Sequence, residues 1–160
     1  MLNLNSKERM LLEDEKKHEE LCIEKYNKYS EMASNPELKN LFSQLSEKEK
    51  QHLNTINLML SGVLPNTNSG QGGKQQNQQS NNQSSNEQKL NYYQSQTDFN
   101  NDKMLCQDSL SGEKYVSSTY DTAIFEFRDT NARQILNHIQ KEEQEHGEKI
   151  YNYMEQYRMY

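Results

Sequence analysis

The sequence has little of what several folds and functions require. It contains no tryptophan, two prolines and two cysteines, and its 31% of hydrophobic residues includes no run long enough to span a bilayer. Cys22 and Cys106 form no CxxC pair, so a disulfide framework is not expected and both are interpreted as buried structural thiols. Acidic residues outnumber basic ones, 24 against 18, and no helix face collects Lys and Arg. We therefore expect no nucleic acid and no membrane as partners.

The N-terminal residues also lack a targeting signal. Residues 1–8 contain no basic segment followed by an apolar core, so we expect a protein made and kept inside the cell. Its 160 residues predict a single domain, residues 1–160, because neither half can bury a sufficient core alone. The low mean hydropathy of -1.22 is concentrated in one polar stretch between the halves.

What the sequence does contain is an internal duplication. A lone glutamate precedes a Glu-x-x-His pair by 30 residues, and the whole arrangement recurs 94 residues later with an equivalent tyrosine in each copy. The repeated residues are Glu19, Tyr26, Glu49 and His52 in the first copy and Glu113, Tyr120, Glu143 and His146 in the second. Four carboxylates and two imidazoles are the ligand set of a two-metal site in a four-helix bundle.

Residues 5–62 predict the first helical hairpin. Asn5 and Glu8 resemble a capping box, Ser34-Asn35-Pro36 ends the first helix and caps the second, and Gly62 ends the second. Apolar residues at helical spacing define the predicted inner face. They are Leu11, Cys22, Tyr26, Tyr29 and Ala33, followed by Leu38, Leu41, Leu45, Ile56, Met59 and Val63.

Residues 100–160 predict a second hairpin on the same plan. Asn101 or Asp102 opens helix three, Asp129 caps helix four, and Gly112 suggests a local loosening beside Glu113. The predicted inner positions are Leu105, Cys106, Val116, Tyr120, Ile124 and Phe127, then Ile135, Ile139, Ile150, Tyr153 and Tyr157.

The two hairpins are joined by a Gln/Asn/Ser-rich segment, residues 63–99, which we expect to be disordered. A connector of this length can run along the whole bundle and leave helices two and three parallel, as in ferritin-like bundles, instead of the up-and-down winding that short loops give. Two other roles stay open for it: self-association of the Gln/Asn tract and exchange of hairpins between chains in a homodimer.

The spacing also brings the six repeated residues to one level. Glu19 lies 16 residues before the helix cap Asn35, whereas Glu49 and His52 lie 14 and 17 residues after it, and the second copy repeats these intervals around Asp129. In each helix the residues fall on or beside the inner stripe. We therefore expect one buried layer in which Glu49 and Glu143 bridge two metal ions, Glu19 and Glu113 are each terminal or bridging, and each histidine completes one of the ions.

The charge of such a layer favours metal over the alternatives. Four buried carboxylates would repel one another, and two divalent cations cancel their charge, with iron or manganese suited to an oxygen-rich ligand set. The alternative is a structural bundle in which Lys25 or Lys48 neutralises the layer, or which is splayed and wet there. His18 and His138 are interpreted as surface or flank residues, and Tyr26 and Tyr120 as core residues or as relays of an electron or a proton.

The second half of the sequence closely resembles the coat F domain of spore-forming Firmicutes. The matching elements are Asp108-x-Leu110, Lys114, Tyr120, Glu126, Asn131-x-Arg133, the Glu-Glu-Gln-x-His run at 142–146 and a Tyr-x-Tyr-Met ending. This resemblance implies a protein made in the mother cell and assembled into the spore coat, with other coat proteins or a second copy of itself as partners. A structural or protective role without established catalysis is the corresponding expectation.

The first half is more similar to rubrerythrin and its relatives. Tyr26, Asn35-Pro-Glu-Leu-Lys, Phe42 and the Glu-Lys-x-x-His helix at 49–52 carry that resemblance. It implies an oxidoreductase of rubrerythrin or manganese-catalase type acting on peroxide or oxygen, although no CxxC pair is present to hold a rubredoxin iron. Whether the protein is an enzyme is left open, and the metal-free structural bundle is the third interpretation.

Overall fold

A computed structural model describes residues 1–65, 89 and 92–160 of the chain. Four long helices form this part of the chain: α1 (Ser6–Met32), α2 (Pro36–Leu60), α3 (Gln96–Glu126) and α4 (Thr130–Gln156). The predicted all-α four-helix bundle is confirmed. None of the described helices combines the length and the apolar composition needed to cross a membrane.

Three of the helices begin at the predicted caps. The Asn5 side chain accepts a hydrogen bond from Glu8 N and the Glu8 side chain accepts one from Asn5 N, both at 2.8 Å, which completes the capping box of α1. Asn35 accepts from Glu37 N at 2.8 Å in front of Pro36, and Asp129 accepts from Ala132 N at 2.9 Å. The two helix turns are therefore set by local sequence.

Helix α3 begins earlier than predicted. It starts at Gln96, with Ser95 as its cap, so the predicted opening at Asn101 or Asp102 was wrong and residues 96–99 belong to the helix. An aromatic contact explains the difference, since the rings of Tyr93 and Phe99 pack edge to face at 5.5 Å against the core. The predicted disorder of the linker falls mainly on residues 66–88, 90 and 91, which lie outside the described residues.

The helices face the core at slightly different angles from those predicted. Leu12, Phe42 and Ala123 are fully buried at 0% exposure, while their predicted neighbours Leu11, Leu41 and Ile124 are only partly buried and Val63 is 49% exposed. The cause in α1 is its composition. Its buried residues include three glutamates, so apolar residues alone misplace the face: Glu8, Leu12, Glu15, Glu19, Cys22 and Tyr26. Both cysteines are free and buried, as predicted.

Helix α3 also runs unbroken through Gly112, so the predicted loosening there was wrong. The glycine instead makes room for a side chain from α1. A Cβ atom at position 112 would lie 2.5 Å from Lys25 Nζ.

Side-chain contacts fix the relative directions of the helices. Helices α1 and α3 pack together, with Lys7 and Glu126 paired at 2.8 Å at one end and Ser34 N donating to Asp102 at 2.7 Å at the other, so they are antiparallel. Helix α1 is likewise antiparallel to α2, and α3 to α4, through the short turns. Consequently α2 and α3 point in the same direction.

The ends of the connector lie at opposite ends of the bundle. Leu2 N donates to Gly62 O at 2.8 Å, which places the end of α2 beside the start of α1, and Gly62 adopts φ +86 there. The start of α3 instead lies at the α1–α2 turn. The end of α2 and the start of α3 therefore lie a bundle length apart, as a ferritin-like arrangement requires and up-and-down winding does not.

Two buried carboxylates at equivalent positions of the duplication fasten one hairpin to the other. Glu8 accepts from Arg128 N at 3.0 Å and from Arg128 Nε at 3.2 Å in the α3–α4 turn. Asp102 accepts from Ser34 N at 2.7 Å and from Asn35 N at 2.9 Å in the α1–α2 turn. These two clamps set the height of each hairpin against the other, and sequence reasoning missed both.

Candidate metal centre

The six repeated residues meet in one buried layer at mid-height. Their side chains are between 0% and 4% exposed, and they form two groups, in each of which one ligand atom per residue lies within 4.8 Å of the others. The first group is Glu19, Glu49, His52 and Glu143, and the second is Glu49, Glu113, Glu143 and His146. Buried Glu and His side chains at this spacing can hold metal ions.

Glu49 and Glu143 belong to both groups. They are therefore the two residues able to bridge a pair of ions, while Glu19 with His52 and Glu113 with His146 would each serve one ion. This is the pattern that the duplication predicts, and the role of these residues as ligands stays a prediction.

Both histidines present the same ring nitrogen to the layer. His52 Nδ1 lies 3.0 Å from Glu49 Oε2 and 3.0 Å from Glu143 Oε1. His146 Nδ1 lies 3.2 Å from Glu49 Oε1 and 3.4 Å from Glu143 Oε2. The two rings stack with centroids 5.6 Å apart. The Glu-x-x-His spacing thus aims one imidazole nitrogen and one carboxylate from each helix at the same space.

Two buried tyrosines connect the hairpins through the layer. Tyr26 of α1 donates to Glu113 of α3, and Tyr120 of α3 donates to Glu19 of α1. Burial, together with the nearby carboxylates, raises the pKa of both phenols well above 10, so they remain neutral donors. They are core residues, as expected, and they also orient the two non-bridging carboxylates.

No lysine neutralises the layer. Lys25 Nζ lies 3.4 Å from Asp108, and Lys48 Nζ lies 3.4 Å from Glu142. Throughout the described part of the chain, no Lys or Arg forms an ion pair with any of the six residues. The layer is also buried instead of splayed and wet, so both structural alternatives for balancing its charge are contradicted.

Without metal, the layer can balance its charge only by sharing protons. Burial raises the pKa of Glu19 to about 8, and burial with the charges of Glu143 and Glu49 raises that of Glu113 well above its usual value. Burial opposes charge on His146, yet its contacts with Glu143 and Glu49 raise its pKa to about 9. Protons would therefore occupy the positions that metal ions would otherwise take.

The layer also contains most of the unpartnered polar atoms of the described core. Among the described residues, seven buried side-chain nitrogen and oxygen atoms have no hydrogen-bond partner. Five of them belong to the six residues of the layer: Glu19 Oε2, Glu49 Oε1, Glu113 Oε2, Glu143 Oε2 and His146 Nδ1. A buried carboxylate oxygen left without a partner destabilises the folded state. All of these atoms are electron-pair donors, so the residues present fit divalent metal ions.

Two further carboxylates near the layer were not predicted. Glu142, next to a predicted ligand, accepts a hydrogen bond from His52 Nε2 at 2.8 Å. Glu15 is buried, accepts from Thr119 Oγ1 at 3.0 Å and lies 3.3 Å from His18 Nδ1, and burial raises its pKa to about 7. The contacts Glu142–His52 and Glu15–Thr119 depend on the register of one helix against another, whereas Glu15 and His18 are three residues apart on the same helix.

The two remaining histidines differ. His138 is exposed, as predicted, with 57% of its side chain accessible. His18 is more enclosed than a surface residue, with 23% accessible, and its ring packs edge to face on Tyr115 at 5.5 Å.

An outer groove reaches the layer from the second hairpin. It has a volume of about 550 Å³ and runs between α3 and α4, where Glu113 and Glu143 form part of its lining. The small residues Ser117 and Gly147 keep it open. The equivalent positions of the first hairpin carry the larger Ile23 and Leu53. The groove therefore ends at these two residues, of which Glu113 is 4% exposed and Glu143 is fully buried.

Comparison with known proteins finds a similarity in the second hairpin. The family model of the Coat F domain matches residues 101–160, which include Glu113, Glu143 and His146. No curated protein and no solved structure matches the chain.

Proposed function

We propose that the protein is a spore coat component whose bundle holds a dinuclear metal centre, since residues 101–160 match the Coat F domain. The coat F domain supports the association with the spore coat. The metal centre is our own inference from the layer. It would give the coat a protein that combines a structural role with bound iron or manganese.

The observation that carries the metal centre is the pair of overlapping ligand groups that share Glu49 and Glu143. Four carboxylates carry four negative charges, which two divalent cations cancel. The five unpartnered polar atoms of the layer would then gain partners. An oxygen-rich set with one imidazole per ion suits iron or manganese better than thiolate-seeking metals.

The chain's own residues would hold and shield such a centre. Glu19 and His52 would bind one ion, Glu113 and His146 the other, and the neutral phenols of Tyr26 and Tyr120 would orient the non-bridging carboxylates. The surrounding apolar core, with Phe42 and Ile56 at 0% exposure, excludes bulk water. Bound iron or manganese would supply electron transfer to or from a small oxidant.

Metal analysis of protein purified without chelator tests this proposal. We expect about two equivalents of iron plus manganese per chain. The double variant Glu49→Gln with Glu143→Gln should bind almost none, whereas Glu47→Gln with Glu145→Gln, which changes two exposed residues of the same helices, should bind as the wild type does. Wild-type protein without metal would reject the centre. Immunogold labelling of sporulating cells tests the coat assignment separately, and label confined to other compartments would reject it.

A second candidate function is an oxidoreductase of rubrerythrin or manganese-catalase type. The groove between α3 and α4 favours it, since a purely structural centre needs no path from solvent to Glu113 and Glu143. Stopped-flow measurement of peroxide consumption by the metal-loaded protein tests this function. Turnover above that of the same concentration of free metal, and slowed by Gly147→Leu, would support it, whereas turnover equal to free metal would exclude it.

A further inference from the structure

The ligands of the layer repeat with an offset of 94 residues, but their outer neighbours do not. Glu142 precedes Glu143 in the second copy, and the equivalent residue of the first copy, before Glu49, is Lys48. A carboxylate in one half thus corresponds to an ammonium group in the other. The two copies therefore differ in the charge of the residue that precedes Glu49 or Glu143.

His52 is held on both sides of its ring. Its Nδ1 atom faces Glu49 and Glu143 in the layer, and its Nε2 atom donates to Glu142 Oε2 at 2.8 Å. Glu142 is itself held in place, because its other oxygen lies 3.4 Å from Lys48 Nζ and its side chain is only 19% exposed. The orientation of the His52 ring is therefore fixed by a carboxylate outside the layer.

His146 lacks this arrangement. Within the described residues its ion-pair contacts are with Glu49, Glu113 and Glu143, all through Nδ1. The equivalent of Glu142 is Lys48, whose ammonium group has no lone pair to accept a hydrogen bond and which turns to Glu142 instead. Among the described residues, no carboxylate forms an ion pair with the outer nitrogen of this ring.

A carboxylate that accepts a hydrogen bond from the outer ring nitrogen of a metal-binding histidine has a known physical effect. It fixes the proton on the outer nitrogen, leaves the lone pair of the inner nitrogen for the metal and increases its basicity. Removing such a partner typically weakens metal binding by about 10- to 100-fold.

We propose that Glu142 makes the two metal positions unequal, so that the ion held by Glu19 and His52 binds more tightly than the ion held by Glu113 and His146. Glu142 is thus a positioning residue for one ion only. This inference rests on the proposed metal centre and adds an order of filling to it. The partly filled protein would contain one ion, at the His52 position.

Titration of the metal-free protein with Mn²⁺ tests the inference by calorimetry, with electron paramagnetic resonance at each step. For the wild type we expect two binding steps whose affinities differ by at least about tenfold, with the signal of an isolated ion in the first step and of a coupled pair in the second. Glu142→Gln should weaken the first step by about tenfold or more and leave the second nearly unchanged.

The reciprocal substitution supplies the missing carboxylate. Lys48→Glu replaces the ammonium group that holds Glu142 by a like charge, so it should weaken the first step, while the added carboxylate at the position equivalent to Glu142 should strengthen the second. Glu145→Gln and Lys50→Glu are the matched controls, since they make the same charge changes at exposed positions of the same helices and should alter neither step. Thermal unfolding of the metal-free variants separates these effects from loss of structure.

Two equal binding steps in the wild type, or an equal effect of Glu142→Gln on both, would overturn the inference and leave the metal centre intact. Absence of Mn²⁺ binding in the wild type would instead reject the metal centre itself, and the inference with it.

Discussion

The first and second hairpins carry the same layer of ligands but different neighbours around it. His18 lies beside Thr119, and Lys25 lies beside Gly112. Positions 18 and 112 are equivalent in the duplication, as are positions 25 and 119, and each contact combines one larger and one smaller side chain. In both contacts the larger side chain thus belongs to α1 and the smaller one to α3. The comparison teaches that the duplication is strict where charges must meet and permissive where only space must be filled.

The two hairpins also differ beside the layer, where a groove runs along the second hairpin. The second hairpin borders a groove lined in part by Ser117 and Gly147, and the first hairpin carries the larger Ile23 and Leu53 at the equivalent positions. Glu113, in the second hairpin, is correspondingly the most exposed of the six layer residues, at 4%.

The largest effect on metal binding is expected from substituting a residue that belongs to both ligand groups, compared with one that belongs to a single group. Glu143→Gln should abolish binding of both ions, whereas Glu19→Gln and Glu113→Gln should each abolish or weaken one, because Glu143 belongs to both ligand groups and Glu19 and Glu113 belong to one each. Metal analysis by mass spectrometry measures the stoichiometry. Loss of one ion in all three variants would contradict the bridging assignment.

The stabilisation of the folded state by metal should likewise be lost in Glu143→Gln. At free metal a thousandfold above the dissociation constant, bound metal stabilises the folded state by about 4 kcal/mol per site. Chelator should therefore lower the unfolding midpoint of the wild type strongly and that of Glu143→Gln hardly at all. Equal sensitivity of the two proteins would show that metal stabilises the fold elsewhere.

The two clamps should differ in strength. Asp102→Ala removes a fully buried acceptor of two turn N–H groups and of the Tyr93 hydroxyl, and we expect it to lower the free energy of unfolding by about 3 kcal/mol. Glu8→Ala should cost less, about 1–2 kcal/mol, since its partner Arg128 is solvent-exposed and can be rehydrated. Urea unfolding of both variants checks the order, and a larger loss for Glu8→Ala would contradict it.

Lowering the pH should remove the stabilisation that the Glu8 clamp contributes. Burial opposes the charge of Glu8, but hydrogen bonds from Arg128 and Asn5 lower its pKa from 4.5 to about 2. A depressed pKa means that this stabilisation is complete above pH 4.5 and is lost as pH falls towards 2. The stability difference between wild type and Glu8→Gln should therefore be constant near neutral pH and vanish near pH 2. A difference that persists at pH 2 would show that the charge of Glu8 is not what stabilises the clamp.

The smallest effects concern the two helical glycines. A Cβ atom at Gly147 would make ordinary contacts, the nearest with Leu110 Cδ1 at 3.5 Å, so Gly147→Ala should stabilise the protein by about 0.5–1 kcal/mol. Gly112→Ala should gain less, because its Cβ must displace the Lys25 ammonium from 2.5 Å. Thermal unfolding measures both, and an equal gain would mean that Lys25 moves away freely.

The fold and the meeting of the six residues could be predicted from the sequence because both depend on intervals along the chain. The caps Asn35 and Asp129 fix the turns, and equal distances from a cap place residues at equal heights in antiparallel helices. The offset of 94 residues then transfers the pattern from one hairpin to the other.

What the sequence left hidden depends on register between helices. Glu142 supports His52 only because α2 and α4 lie at one particular height, and the clamp of Asp102 joins residues 67 and 68 positions apart. The buried glutamates of α1, such as Glu15, were missed for another reason, since hydropathy assigns a carboxylate to the surface. Only the packed structure shows that Thr119 and His18 enclose it.

Anomalous X-ray diffraction from crystals of manganese-loaded protein, recorded at the absorption edge of the metal, tests the central claim most directly. Two peaks inside the bundle are expected, both between Glu49 and Glu143, one beside His52 and the other beside His146. An empty layer, or peaks confined to carboxylates on the outer surface, would contradict the dinuclear centre.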